Sequence, residues 1–147
     1  MAASTTSRIT VAAPRARVLA VITDFAAYPQ WASAVSAAEV VSRDDQGRAS
    51  QVRFQLDAGM IKDTYVLGYE WDTDTGVRWH LAEPGAVVTA MDGAYRLADH
   101  DGGTEVTYDL AVDVRIPMPG MLKRRAEKTI IDTALRGLKS RAEGGSQ

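Results

Sequence analysis

PGMLKRRAEKTIIDTALRGLKSRAE, residues Pro119–Glu143, is the longest run of helical periodicity in the chain. Pro119 and Gly120 punctuate its start, and Gly144 and Gly145 its end. Apolar residues recur at Ile130, Ile131, Ala134, Leu135 and Leu138, while Arg125, Lys128, Asp132, Arg136 and Lys139 fall on the other side. A helix over the whole stretch is about 36 Å long. An amphipathic helix of that length needs a large apolar surface to lie on. Almost everything before it reads as strand, so the expected partner is a curved sheet.

Taken from the start, Thr5–Ala12 alternates as a first strand. Pro14 sits where a helix begins, and Val18, Leu19 and Ile22 form the apolar side of Arg15–Ile22. Asp24 stops that helix and is expected to cap a second short one through Phe25 and Ala27, which Pro29 cuts off with Trp31 near the corner. Six strands follow: Glu39–Arg43, Ala49–Leu56, Ile61–Trp71, Gly76–Glu83, Ala86–Leu97 and Thr104–Ile116. They are separated by turns at Asp44–Gly47, Ala58-Gly59, Thr73–Gly76, Glu83–Gly85 and Asp99–Gly103. In the fifth of these, Val87, Thr89, Met91, Gly93, Tyr95 and Leu97 share a face. In the last, Val106, Tyr108, Leu110, Val112, Val114 and Ile116 face in. The order predicts an α+β fold: one seven-stranded curved antiparallel sheet around a long C-terminal helix, with two short helices after the first strand. A single domain is expected over residues 1–147. Its ordered core is expected from about residue 5 to about residue 143, with the first residues and the tail GGSQ disordered.

The bulk numbers remove several functions. There is no cysteine and only His80 and His100, so thiolate chemistry and a multi-imidazole zinc site are out of reach. A net charge of -2 gives no reason to expect nucleic acid or an anionic membrane. No apolar run approaches the roughly 18 residues that span a bilayer, and MAASTTSR lacks a signal pattern. A cytoplasmic monomer or homodimer without metal or cofactor is expected. Gly102-Gly103 is a hairpin turn, not a phosphate loop.

The inward rows carry Phe54, Tyr65, Tyr69, Trp71, Trp79, Met91, Tyr95 and Tyr108. These aromatics either pack a core or line an apolar chamber whose hydroxyls and indole N–H orient a small hydrophobic ligand. Trp31 belongs to the same candidate set. Lys123 and Glu127 interrupt the apolar side of the long helix. Its first two turns therefore overhang the sheet or roof a chamber, with Met121 and Leu122 as adaptable contacts. On the second view Met121–Glu127 is a lid that touches ligand, and the part from Ile130 on is a clamp. Asp63 is expected at the rim and His80 on the outer surface.

The stretch VAAPRARVLAVITDFAAYPQWASAV (Val11–Val35) resembles the polyketide cyclase/dehydrase and coenzyme Q-binding family of the START-like (SRPBCC, Bet v 1-like) superfamily. The matching residues are Ala13, Pro14, Val18, Asp24, Tyr28, Pro29 and Trp31. DGAYRL with GGTEVTYDL (Asp92–Leu97 and Gly102–Leu110) is similar to the family's penultimate hairpin, and Pro119–Glu143 to its closing helix. The resemblance implies a helix-grip fold with a hydrophobic cavity between sheet and helix. It also implies ligands such as lipids, quinones or polyketides, and ring closure or aromatisation in some members. No catalytic set of the aromatase/cyclases matches residue by residue.

Three functions stay open on this reading. The first is binding or carriage of a small hydrophobic molecule. The second is a polyketide cyclase/aromatase, whose enolate stabilisation and proton shuttle would fall to Tyr65, Tyr95, Lys123 and Glu127. The third is a protein-interaction module, for which the acidic pI and missing basic stripe argue against RNA contact.

Overall fold

Six strands follow one another after the two short helices, and each of the last five folds back on the one before. The computed structural model describes residues 4–57 and 62–144. Its elements are β1 Thr5–Val11, α1 Arg15–Thr23, a 3₁₀ helix Phe25–Gln30, β2 Val35–Arg43, β3 Ala49–Asp57, β4 Lys62–Asp72, β5 Gly76–Glu83, β6 Val88–His100, β7 Gly103–Val114 and α2 Gly120–Ala142. The strands form one antiparallel sheet in the order β1-β7-β6-β5-β4-β3-β2. Thr5 pairs with Leu110 and Val11 with Thr104, so the start of the chain lies beside its last strand. The sheet wraps α2, which is the helix-grip arrangement that the sequence led one to expect. The expected turn at Ala58-Gly59, Ile61 at the head of β4, and residues 1–3 and 145–147 lie outside the described residues. No helix among the described residues is long and apolar enough to cross a membrane.

Alternation fails where strands bulge. β6 shifts register between Val88 and Ala90, so Val88 is buried, Thr89 is exposed and Val87 only half-buried, against the expected inward row. Regular alternation resumes at Met91. β4 shifts between Val66 and Leu67, and both side chains are buried. β7 ends at Val114, so Ile116 is not an inward residue but 59% exposed. β2 begins at Val35, earlier than its alternation indicates.

Asp24 makes no side-chain cap; only its backbone carbonyl accepts, from the N–H of Ala27 at 3.2 Å. The corner is held instead by Tyr28, whose hydroxyl donates to the Ile22 carbonyl at 2.5 Å. Trp31 packs on Tyr28 with ring centroids 4.7 Å apart. Its carbonyl then meets α2 where α2 has no side chain: a Cβ at Gly137 would stand 1.9 Å from the Trp31 oxygen. The Tyr-Pro-x-Trp run thus serves as a structural corner that α2 seats against.

α2 also covers the free edge of β1. Lys139 Nζ donates to the Thr10 carbonyl at 3.0 Å, and Glu143 Oε2 accepts the Ala12 N–H at 2.7 Å and the Lys139 ammonium at 2.6 Å. Those bonds, the Ala12 N–H foremost, hold the Glu143 carboxyl below its ordinary range. An edge strand so covered offers no template for a further strand.

Candidate ligand-binding cavity

Successive strand residues point to opposite faces, so one row from each strand faces α2. On the inner face these rows meet side by side. Phe54 pairs with Tyr65, Tyr69 with Trp79, and Tyr95 with Tyr108. The rings form a continuous belt, with centroids 6.2 Å apart for Phe54–Tyr65, 5.7 Å for Tyr69–Trp79, 5.4 Å for Trp79–Tyr95 and 4.6 Å for Tyr95–Tyr108. Gly93 lies opposite Trp79. A Cβ there would be 2.3 Å from the indole, so only glycine lets that ring lie across β6.

Between this belt and α2 is a cavity of about 60 Å³. Phe54, Leu56, Tyr65, Leu67, Tyr69, Trp79, Met91, Tyr95, Tyr108 and Leu110 line it from the sheet, Ile130 and Ala134 from α2, and Tyr28, Ala32, Ala34 and Val35 from the corner. Ala34 and Val35 are half-buried and mark its shallow end.

The wall is apolar except for phenols. The Tyr28 hydroxyl is spent on Ile22. Those of Tyr65, Tyr69, Tyr95 and Tyr108 have no hydrogen-bond partner among the described residues. Burial pushes all four phenols up, and Tyr65 is pushed further by Tyr108 and the nearby Asp63 carboxylate. They are therefore neutral hydroxyls at any physiological pH. Among the described lining residues there is no carboxylate, ammonium, guanidinium or imidazole.

Of the residues that the sequence put forward, Phe54, Tyr65, Tyr69, Trp79, Met91, Tyr95 and Tyr108 are brought together in this wall. Trp31, Met121, Leu122, Lys123 and Glu127 are not. Met121 is 72% exposed, Leu122 is half-buried, and Lys123 Nζ reaches Asp113 Oδ1 at 2.9 Å. Glu127 is 1% exposed yet has no place at an entrance. Its Oε1 accepts from the Thr5 hydroxyl at 2.7 Å and its Oε2 from the Val112 N–H at 2.8 Å. Among the described residues β1 begins at Thr5 opposite Leu110, and the Val112 N–H, two residues beyond that pair, bonds the carboxylate. The carboxylate thus continues the ladder beyond the first described pair of β1 and β7. The helical division expected from sequence is thus reversed. Ile130 and Ala134 face the cavity, and the first two turns do not.

Asp63 likewise proves structural. Its carboxylate accepts the N–H groups of Ala86 and Val87 at 2.9 Å and of Val88 at 2.7 Å, fixing the β5–β6 turn. Burial acts to raise its pKa, but bonds from Val88, Val87, Thr64 and Ala86 outweigh it and hold the group low. His80 is exposed on the outer face, its ring over Gly68.

Comparison with solved structures gives the same fold at low identity. A START superfamily protein from Mycobacterium smegmatis aligns over 97% of this chain and 99% of its own, with TM-score 0.88 and 21% identity. A Thermus thermophilus protein aligns over 99% of this chain and 100% of its own, with TM-score 0.80 and 22% identity. A Streptomyces aromatase/cyclase aligns over 97% and 94%, with TM-score 0.75 and 17% identity. A search of curated sequences returned no match. Residues 2–143 match the model of the family described as polyketide cyclase / dehydrase and lipid transport. A whole-chain match of that kind, on a sheet that grips its last helix around an aromatic cavity, makes this chain a member of that family.

Proposed function

We propose that the chain binds and carries a small apolar molecule with carbonyl or hydroxyl oxygens (a lipid, a quinone or a polyketide) in the cavity between the sheet and α2. The four unpartnered tyrosine hydroxyls in an otherwise apolar wall carry this reading. Aromatic faces supply contact area, and each neutral hydroxyl can donate to a ligand oxygen. At about 60 Å³ the cavity is far below the roughly 300–1,000 Å³ of sites that enclose a whole drug-sized ligand. Binding a whole ligand therefore has to widen this cavity.

Thermal melts with a panel of lipids, quinones and aromatic polyketides test this. A ligand at a hundredfold excess over its Kd stabilises the fold by about 2.7 kcal/mol. No shift across the panel, together with a native mass spectrum of bare protein, would end the proposal.

The cyclase reading draws on Tyr65 and Tyr95, which face the cavity as hydrogen-bond donors able to polarise a ketone. The similar Streptomyces protein is an aromatase/cyclase. Lys123 and Glu127 lie away from the wall, so the proton acceptor for such chemistry would have to come from substrate or solvent. Unchanged product profiles after Tyr65→Phe and Tyr95→Phe would remove this reading.

A further inference from the structure

The net charge conceals a segregation. From Arg115 to Lys128 the sequence holds five cationic residues and one carboxylate, Glu127, leaving twelve cationic against eighteen acidic residues elsewhere. Glu127 turns inward to Thr5 and Val112. Lys123 and Lys128 are held by Asp113 at 2.9 Å and Asp132 at 3.1 Å. Arg115 bonds only a backbone carbonyl, that of Ala86, and Arg124 and Arg125 have no ion-pair partner among the described residues.

The same segment holds two of the three large apolar side chains exposed among the described residues, Ile116 at 59% and Met121 at 72%. Met121, Arg124, Arg125 and Lys128 recur at helical spacing and, with Thr129 and Asp132, border one shallow groove, on the side of α2 away from Ile130 and Ala134. This surface sits at a defined end of the fold. Antiparallel order places the start of β2, the end of β3, the start of β4 and the end of β7 together. The shallow end of the cavity, at Ala34 and Val35, is at that end too. Arg115 is tied there by its N–H to the Val87 carbonyl at 2.7 Å.

We propose that this end of the molecule docks reversibly on an anionic lipid surface. Arg115, Arg124 and Arg125 meet lipid phosphates, and Ile116 and Met121 enter the apolar side of the interface. Exposed cations alone would suit any polyanion. The two apolar side chains among them favour a bilayer, because a nucleic-acid backbone offers nothing apolar to receive them. Docking turns the shallow end of the cavity towards the lipid, but it does not depend on what the cavity holds.

The test is co-sedimentation of the full chain with vesicles of phosphatidylcholine, alone and with phosphatidylglycerol. Binding is expected to need phosphatidylglycerol and to weaken with salt. Arg124→Gln with Arg125→Gln should lower the partition coefficient about thirtyfold at low salt, at about fivefold per cation. Ile116→Ser with Met121→Ser should weaken binding at unchanged charge. Arg78→Gln with Arg96→Gln, on the opposite face and with an equal charge change, should leave it nearly intact. All six positions are exposed, and thermal melts of each variant check that it folds. The proposal is overturned by equal binding to both vesicle types, by equal loss in the control pair, or by serine variants that bind as the parent does. It is also overturned if a DNA duplex binds while vesicles do not.

Discussion

Removing the Glu127 carboxylate separates a ladder-completing role from an entrance role. In Glu127→Ala, the Val112 N–H and the Thr5 hydroxyl both lose their acceptor. The first is a buried backbone donor with no other acceptor among the described residues, and leaving such a group unpaired costs about 1–3 kcal/mol. The lost bond to Thr5 and the space vacated by the side chain add to this, for a total of about 3–5 kcal/mol. Glu127→Gln keeps the shape. Its amide oxygen can face Val112 and its amide nitrogen the Thr5 oxygen, which can turn from donor to acceptor. Only the charge assistance is lost, about 1–2 kcal/mol. Urea unfolding of the parent and both variants, compared at equal m-value, measures the two costs. For a chain of this size, about 3 °C of Tm per kcal/mol puts the alanine variant roughly 10–15 °C below the parent. If alanine costs under about 1 kcal/mol, or glutamine costs as much as alanine, the carboxylate is not completing the ladder at Val112. An entrance residue would instead change ligand affinity and leave stability alone.

Asp63→Asn replaces an acceptor of several N–H groups with a side chain that must turn a donor towards one of them, at about 1–3 kcal/mol near neutrality. The folded pKa of Asp63 is lowered, so its stabilisation is present above the unfolded value of about 3.9 and disappears as pH falls through the folded value. The stability gap between parent and variant should therefore narrow on acidification below about pH 4, and a constant gap in acid-range melts contradicts the assignment. Gly137→Ala gains about 1 kcal/mol of helix propensity but drives a methyl into the Trp31 carbonyl, so a net loss of about 1–2 kcal/mol is expected in urea unfolding. A net gain would mean that α2 and the corner are not in close contact. Ala134→Leu fills the cavity from the helix side, should change stability by no more than about 1 kcal/mol, and should abolish any ligand-induced shift in Tm. Retention of the shift would place the ligand elsewhere.

What the sequence makes legible is orientation, and what it withholds is partnership. Period-two alternation and one apolar stripe are local properties of the chain, and they correctly turn Phe54, Tyr65, Trp79, Tyr95, Tyr108 and Ile130 to the interior. Alternation misleads at Val87–Thr89 because a bulge is settled by the neighbouring strand. Glu127 was misread for the same reason at longer range. Its burial depends on how β1, β7 and α2 meet at Thr5 and Val112, a fact about register between segments more than a hundred residues apart. The tyrosines show the limit most clearly. Tyr28 and Tyr65 are both buried phenols on the cavity wall. One hydroxyl is consumed by the Ile22 carbonyl near the end of α1, and the other has no hydrogen-bond partner among the described residues. Composition and spacing treat them alike, yet only the second kind can address a ligand. The chemistry of this cavity therefore lies in which of its hydroxyls the fold has left unused.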